Sequence, residues 1–177
     1  MGLRIRKATR EDLNAVEALY NALNDYLAVH ENGPRWSRDV YPLREHAEEG
    51  LAEGQLYVAE LDGRIAGTVI YQEEQGDVYR QVDWQLPFET PAVVIHILAV
   101  HPDFFRQGVA SALLDYAAEF GRSHGARTVR LDTYEENTAA CRLYERCGFR
   151  KMARIDLGLE EIYGLKWYFA YEKVISD

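Results

Sequence analysis

The stretch from Val93 to Leu114 leaves this chain little choice of fold. It opens with an apolar run, Val93 to Val100, passes through a tight turn at Phe105-Arg106-Gln107-Gly108-Val109-Ala110, and continues as a helix. Spacing predicts the helix, because Val109, Ala112, Leu113, Tyr116, Ala117 and Phe120 fall at helical intervals on one face. It runs from Gly108 to about His124, and Gly125 caps it; Thr128 to Thr133 then alternates as a further strand. A helix joining two strands makes them parallel, with a right-handed crossover, so the chain is mixed α/β. The turn is also a ready anion site, since unpaired N–H groups and the helix dipole point at one spot. Gly108 and Ala110 are small where a phosphate needs the backbone close. A buried strand–turn–helix without a ligand fits the same letters.

The full chain has 177 residues, enough for one domain with a complete core, and we expect a single domain over 1–177. Its net charge of −9 argues against binding nucleic acid as the main task. The charge is compatible with a cationic partner, but an acidic surface more often serves simple solubility. No apolar run of 18 residues is present, so no membrane span is expected. The start, M-G-L-R-I-R-K, lacks the apolar core of a signal peptide, and Arg6 stands where myristoylation wants Ser or Thr. Cys141 and Cys147 stand six apart on one predicted helix and do not face each other. Neither a disulfide framework nor a metal-ligand cluster is legible, which makes a reducing cytoplasm the expected setting.

Leu3 to Ala8 alternates as a first strand. Thr9, with Asp12 three places on, starts a helix whose apolar side carries Leu13, Val16, Leu19, Leu23 and Leu27, and His30 to Pro34 ends it. An aromatic loop (Trp36, Tyr41, Pro42) precedes a second helix from about Leu43 to Glu53, stopped by Gly54. Gln55–Leu61 and Arg64–Tyr71 flank Asp62-Gly63, a type I′ hairpin signal. Residues 73–89 carry five acids and one base and read as a surface excursion. Asn137 to Cys147 is a further helix with Ala140, Leu143, Tyr144 and Cys147 on one face, and Gly148 follows as its C′ residue. Phe149–Arg154 and Trp167–Val174 complete the strands.

Two motifs stand in order. One is L-A-V-H-P-D-F ahead of Gly108-x-Ala110; the other is Asn137 with Ala140 and Tyr144 at helical spacing, closed by Gly148-Phe149. Together, about 29 residues apart with a parallel strand between them, they resemble the GNAT superfamily of acyl-CoA-dependent N-acetyltransferases. The resemblance covers roughly residues 92–150, and the first 72 residues share only the order of elements. It implies a mixed central sheet of six or seven strands, splayed between the fourth and fifth and flanked by four helices. It implies acetyl-CoA as co-substrate, with the pantetheine arm in the splay beside Leu98 and Val100. An N–H near Leu98 or Ala99 would serve the thioester oxygen. The pyrophosphate would lie on the turn from Phe105 through Arg106, Gln107, Gly108, Val109 and Ala110, with Ser111 adding a hydroxyl. The family opens this turn with Gln or Arg, whereas this chain has Phe105 and places Arg106 one step later.

The resemblance makes Tyr144 the acid that protonates the leaving thiolate, and Asn137 a pantetheine contact. A core tyrosine and a plain N-cap fit the same letters. An amine acceptor arrives as an ammonium and must lose a proton. His96 is the candidate base, placed by alternation on the side of Leu98 and Val100; Glu135, Asp132 and Glu73 are rivals. H-I-L-A-V-H resembles a run in arylalkylamine acetyltransferases, but Val94 stands where those have a second histidine. Tyr26, Trp36, Tyr41 and Trp167 either box the amine or belong to the core. The reading is direct transfer of acetyl to a primary amine in a ternary complex, with a small amine, amino acid or polyamine favoured. A peptide N-terminus or lysine, or a non-catalytic acyl-CoA sensor, is the alternative. We expect no metal, no nucleic-acid or membrane partner, and a possible homodimer.

Overall fold

The computed structural model describes residues 2–175. The chain is organised as two compact units. Of the described residues, the first comprises 2–32, 36–72 and 95–116, and the second 33–35, 73–94 and 117–175.

In the first unit, strand β1 (Arg4–Lys7) pairs antiparallel with β2 (Leu56–Leu61), and β2 pairs with β3 (Arg64–Gln72). Asp62 and Gly63 both adopt positive φ (53° and 76°), as a type I′ turn requires, and Leu61 stands opposite Arg64. Helix α1 (Leu13–Val29) follows a 3-10 turn, Arg10–Asp12. Its start is fixed by the Asp12 carboxylate, which accepts the Thr9 N–H at 2.7 Å and a fork of bonds from Arg6 at 2.7 and 2.8 Å. Leu19, Leu23 and Leu27 of α1 pack into one core with Leu56, Val58, Ile70 and Ala99. Helix α2 (Arg44–Ala52) ends before Gly54 at φ 70°.

Strand β4 (Ala92–Val100) contributes to both units, which divide between Val94 and Ile95. Helix α3 (Val109–Ser123) leads into β5 (Thr128–Tyr134). The parallel ladder of β4 with β5 consists of Ala92–Thr128, Val93–Val129 and Val94–Arg130. From Thr128 to Tyr134, β5 pairs antiparallel with β7 (Trp167–Val174), and β7 pairs with β6 (Arg150–Asp156). The strand order is β1-β2-β3-β4-β5-β7-β6.

Two expectations change. Among the described residues there are five α-helices rather than four: besides α4 (Thr138–Arg146) a four-residue α5 (Glu160–Tyr163) precedes β7, closed by Gly164 at φ 73°. One helical turn of E-E-I-Y is too short to show a period. The segment 73–89 is also not a surface excursion. It forms a 3-10 turn (Asp77–Gln81) and buries Tyr79 and Trp84, 3% and 8% exposed, in a core with Val94, Ile155, Tyr168 and Ala170. Its acids point outward and mask three large apolar side chains, Tyr79, Val82 and Trp84, spaced too irregularly to register as an element.

Candidate active site

The turn after β4 is built in the first unit. His101 donates its backbone N–H to the Ala66 carbonyl at 2.8 Å, and its Nδ1 accepts the Asp103 N–H at 3.1 Å. Arg64 bonds Asp103 at 2.9 Å and holds that carboxyl below the usual range. Arg106 and Gly108 then take positive φ, 62° and 79°. Only glycine does so without cost, and a Cβ on Gly108 meets nothing within 4 Å, so Gly108 serves backbone conformation rather than packing. The N–H groups of Val109, Ala110 and Ser111 begin the helix and have no acceptor within it; the first bond of that turn runs from Ala112 N–H to Gly108 O, 3.0 Å. Arg106, Gln107 and Gly108 are exposed. The turn therefore offers a row of backbone donors at a helix N-terminus, the arrangement that suits a phosphate.

Gly67 of β3 sets how closely this helix approaches. A Cβ there would fall 2.6 Å from Val109 Cγ1 and 3.1 Å from Leu113 Cδ1. Sequence reading passed over Gly67, because one glycine inside a strand pattern signals only a possible close approach.

Within β4, Ile97 adopts φ 47°, a left-handed conformation that a β-branched residue avoids. One such residue breaks the period of two, so alternation no longer places His96 on the side of Leu98 and Val100. His96, Leu98 and Val100 are half-buried, while Ala99 belongs to the first unit's core. Phe105, where the family has Gln or Arg, lies edge-on to Tyr26 with centroids 5.1 Å apart. Tyr26 stacks on His30 at 3.8 Å, and Trp36 meets Tyr41 edge-on at 5.7 Å. These three candidate acceptor rings are half-buried and stand in the first unit.

The second unit holds the other motif. Asn137 precedes α4, yet its side chain makes no cap bond. Its Nδ2 donates to Thr133 Oγ1 at 3.2 Å, and its amide lies directly against Gly33. Tyr144 is half-buried and meets Phe149 and Tyr171 edge-on, at 6.1 and 5.6 Å. Among the described residues no hydrogen bond of its hydroxyl is found. Burial first, then the charge of Asp132, pushes its pKa well above the ordinary tyrosine value, so it keeps its proton.

The covered face of β5 is polar. Arg130, fully buried, donates to Glu172 at 2.8 Å, to Gln75 at 2.7 Å and to the Leu86 carbonyl at 2.6 Å, and its guanidinium lies 4.5 Å from the Trp84 ring centroid. Glu172 also accepts the Gln85 N–H at 2.6 Å. These bonds strap residues 75–88 onto β5 and β7. Two residues on from Arg130, Asp132 accepts the Tyr79 hydroxyl at 2.6 Å. Of the rival bases, Glu135 is forked by Arg154 at 2.6 and 3.1 Å and held below the usual carboxylate range, which makes it a poor base. Trp167 already carries the guanidinium of Arg154 at 4.2 Å and the ammonium of Lys166 at 5.5 Å.

The sequence pattern of the acetyltransferase (GNAT) family matches residues 16–149, an interval that contains both the turn and Tyr144. The chain belongs to this family. An uncharacterized N-acetyltransferase of Methanocaldococcus jannaschii is 28% identical over 150 residues, 83% of this GNAT chain and 60% of that relative's length. An N-alpha-acetyltransferase of Sulfurisphaera tokodaii is 28% identical over 84% of this chain and 81% of its own. The crystal structure of a GNAT-family acetyltransferase from Streptococcus agalactiae shares the fold, with a TM-score of 0.80 at 19% identity over 100% of this chain and 98% of that one. In this GNAT chain the family motifs cover the turn and α4. They say nothing of Gly67, Tyr79 or Arg130, which are visible only through packing. For Arg130 one faint signal existed: an arginine two places before an aspartate in an alternating strand, with a glutamate inside the aromatic run W-Y-F-A-Y-E-K-V.

Proposed function

We propose that this chain transfers an acetyl group from acetyl-CoA to a primary amine by direct attack in a ternary complex. The observation that carries the reading is Tyr144, a family-motif tyrosine whose hydroxyl is protonated, half-buried and not committed to another bond. Acetyl-CoA supplies the acyl group and a thiolate leaving group. The N–H groups of Arg106 to Ala110, with the Ser111 hydroxyl, hold its pyrophosphate, the backbone of Leu98 and Val100 and the Asn137 amide hold its pantetheine arm, and an N–H at Leu98 or Ala99 meets the thioester oxygen. The left-handed Ile97 supports this, because one irregular residue re-aims the strand's backbone groups just before Leu98. His96 takes the first proton lost by the ammonium, the neutral amine forms the C–N bond at the thioester carbon, and Tyr144 gives its proton to the sulfur as the C–S bond breaks; the second N–H proton, released as the amide forms, returns to the Tyr144 oxygen, and the proton on His96 passes to solvent.

The acceptor is a small amine, amino acid or polyamine, with Tyr26, Trp36 and Tyr41 as its aromatic contacts and Trp167 a weaker one, since its ring already carries two cations. A peptide N-terminus is the second reading, favoured by the name of the Sulfurisphaera relative. CoA-thiol release across amines, amino acids, polyamines and short peptides tests both. Release that depends on one acceptor class and collapses in Tyr144→Phe supports the reading and selects the class. Tight acetyl-CoA binding without acceptor-dependent release points to a sensor.

A further inference from the structure

Helix α1 buries a residue that its core does not ask for. Leu13, Val16, Tyr20, Leu23 and Leu27 lie along its buried stripe, and Asn24 stands among them, 1% exposed. Asparagine favours turns and caps over a helix interior, and leucine has nearly its shape without polar groups to desolvate. Asn24 Oδ1 has no protein partner among the described residues, while Nδ2 donates to the Tyr41 carbonyl at 3.1 Å. That bond runs from the helix to the aromatic loop that precedes α2. Both ends of the loop have anchors of their own. Asn32 accepts the Trp36 N–H at 3.1 Å and donates to the Trp36 carbonyl at 2.7 Å, and His46 Nδ1 accepts the Leu43 N–H at 2.8 Å. Between them the chain turns on itself, with Val40 and Tyr41 both donating to the Ser37 carbonyl, at 3.1 and 3.0 Å. The ion pair of Arg38 with Asp25 is exposed and adds little. Asn24 ties the middle of this loop to the core, at the residue whose ring meets Trp36 at 5.7 Å and His46 at 4.8 Å. A buried polar side chain that breaks the pattern of its own helix marks a place where something other than stability is served.

We propose that Asn24 is a positioning residue for the acceptor: its amide fixes the Tyr41 backbone and, through it, the ring that the acceptor meets. The proposal rests on the acetyl-transfer reading, which makes Tyr41 an acceptor contact. Asn24→Leu is the sharp variant, because it removes the donor and fills nearly the same space. The lost bond and the added apolar burial oppose each other, so the denaturant midpoint should move little. The amides of Val40 and Tyr41 should nevertheless exchange with deuterium about tenfold faster, the weight of one hydrogen bond. Turnover is followed as CoA-thiol release with tyramine, spermidine and a tetrapeptide with a free N-terminus. The acceptor KM should rise about five- to tenfold, with kcat and CoA affinity within about twofold. In a Tyr41→Ala background, Asn24→Leu should no longer change KM, because the ring through which it acts is gone. Should Asn24→Leu not fold, Asn24→Ala deletes the donor without adding bulk and is read in the same way. Three results would each overturn the proposal: unchanged exchange at Val40 and Tyr41, an unchanged KM where Tyr41→Ala raises it, or an equal effect with and without the Tyr41 ring. If Tyr41→Ala leaves KM unchanged, or the wild type turns over none of the three probes, the acceptor reading fails instead, and the exchange rates still judge Asn24.

Discussion

In the turn from Phe105 to Ser111 the polar groups are backbone N–H groups, exposed by a left-handed glycine and a helix start. On the covered face of β5 and β7 they are side chains, Arg130, Asp132 and Glu172, each bonded to the segment 75–88, with Arg130 also paired to Glu172. The first arrangement depends on conformation and tolerates most side chains. The second depends on each partner being present, because a buried charge without its partner costs several kcal/mol. A set of backbone donors is therefore held by conformation alone, while the polar face of β5 holds only as long as each side chain keeps its partner.

The largest effect that would sharpen this contrast is Arg130→Met. It leaves Glu172 buried and uncompensated and should cost about 3–5 kcal/mol, read from denaturant midpoints. A loss under about 1 kcal/mol would erase the contrast. Tyr144→Phe should lower kcat about a hundredfold or more with little change in stability, since no protein partner of the hydroxyl is lost. Normal turnover in that variant would remove the acid. Gly67→Ala should destabilise by about 1–3 kcal/mol and weaken CoA binding, because the added methyl pushes Val109 and with it the turn. Calorimetry with CoA reads the second part, and unchanged affinity would show that helix position is not critical. Gly108→Ala, which meets no atom, should cost only about 1 kcal/mol of conformational strain. By contrast Gly108→Glu, adding bulk and charge at the phosphates, should abolish CoA binding while the chain stays folded. The smallest effect concerns pH. Burial raises Tyr144, so the acid stays protonated as pH rises and its alkaline limb in kcat should lie above the ordinary tyrosine value of about 10. A limb near pH ~8 that vanishes in Tyr144→Phe would contradict the assignment.

What was legible follows the same line. The hairpin at Asp62-Gly63, the helix from Val109 and the terminal strand Trp167–Val174 stand where local spacing puts them, because each is dictated by neighbours in sequence. The excursion 73–89 was misjudged for the complementary reason. Its acids are local and visible, but the arginine that holds it is Arg130, more than forty residues downstream. The side assigned to His96 rested on unbroken alternation, which Ile97 interrupts, since no rule of composition places a left-handed isoleucine inside an apolar strand.

The chain's letters alone determined the parallel crossover, the backbone turn at a helix N-terminus and the motif tyrosine. These are periodic or contiguous features, and propensity and sterics act over a few residues. Tertiary structure alone decided that Gly67 admits the helix, that Arg130 and Glu172 are buried together, and that Tyr79 meets Asp132. Each of those depends on which distant residues share a sheet face, and that is settled by burial over the whole chain rather than by any local stretch of it.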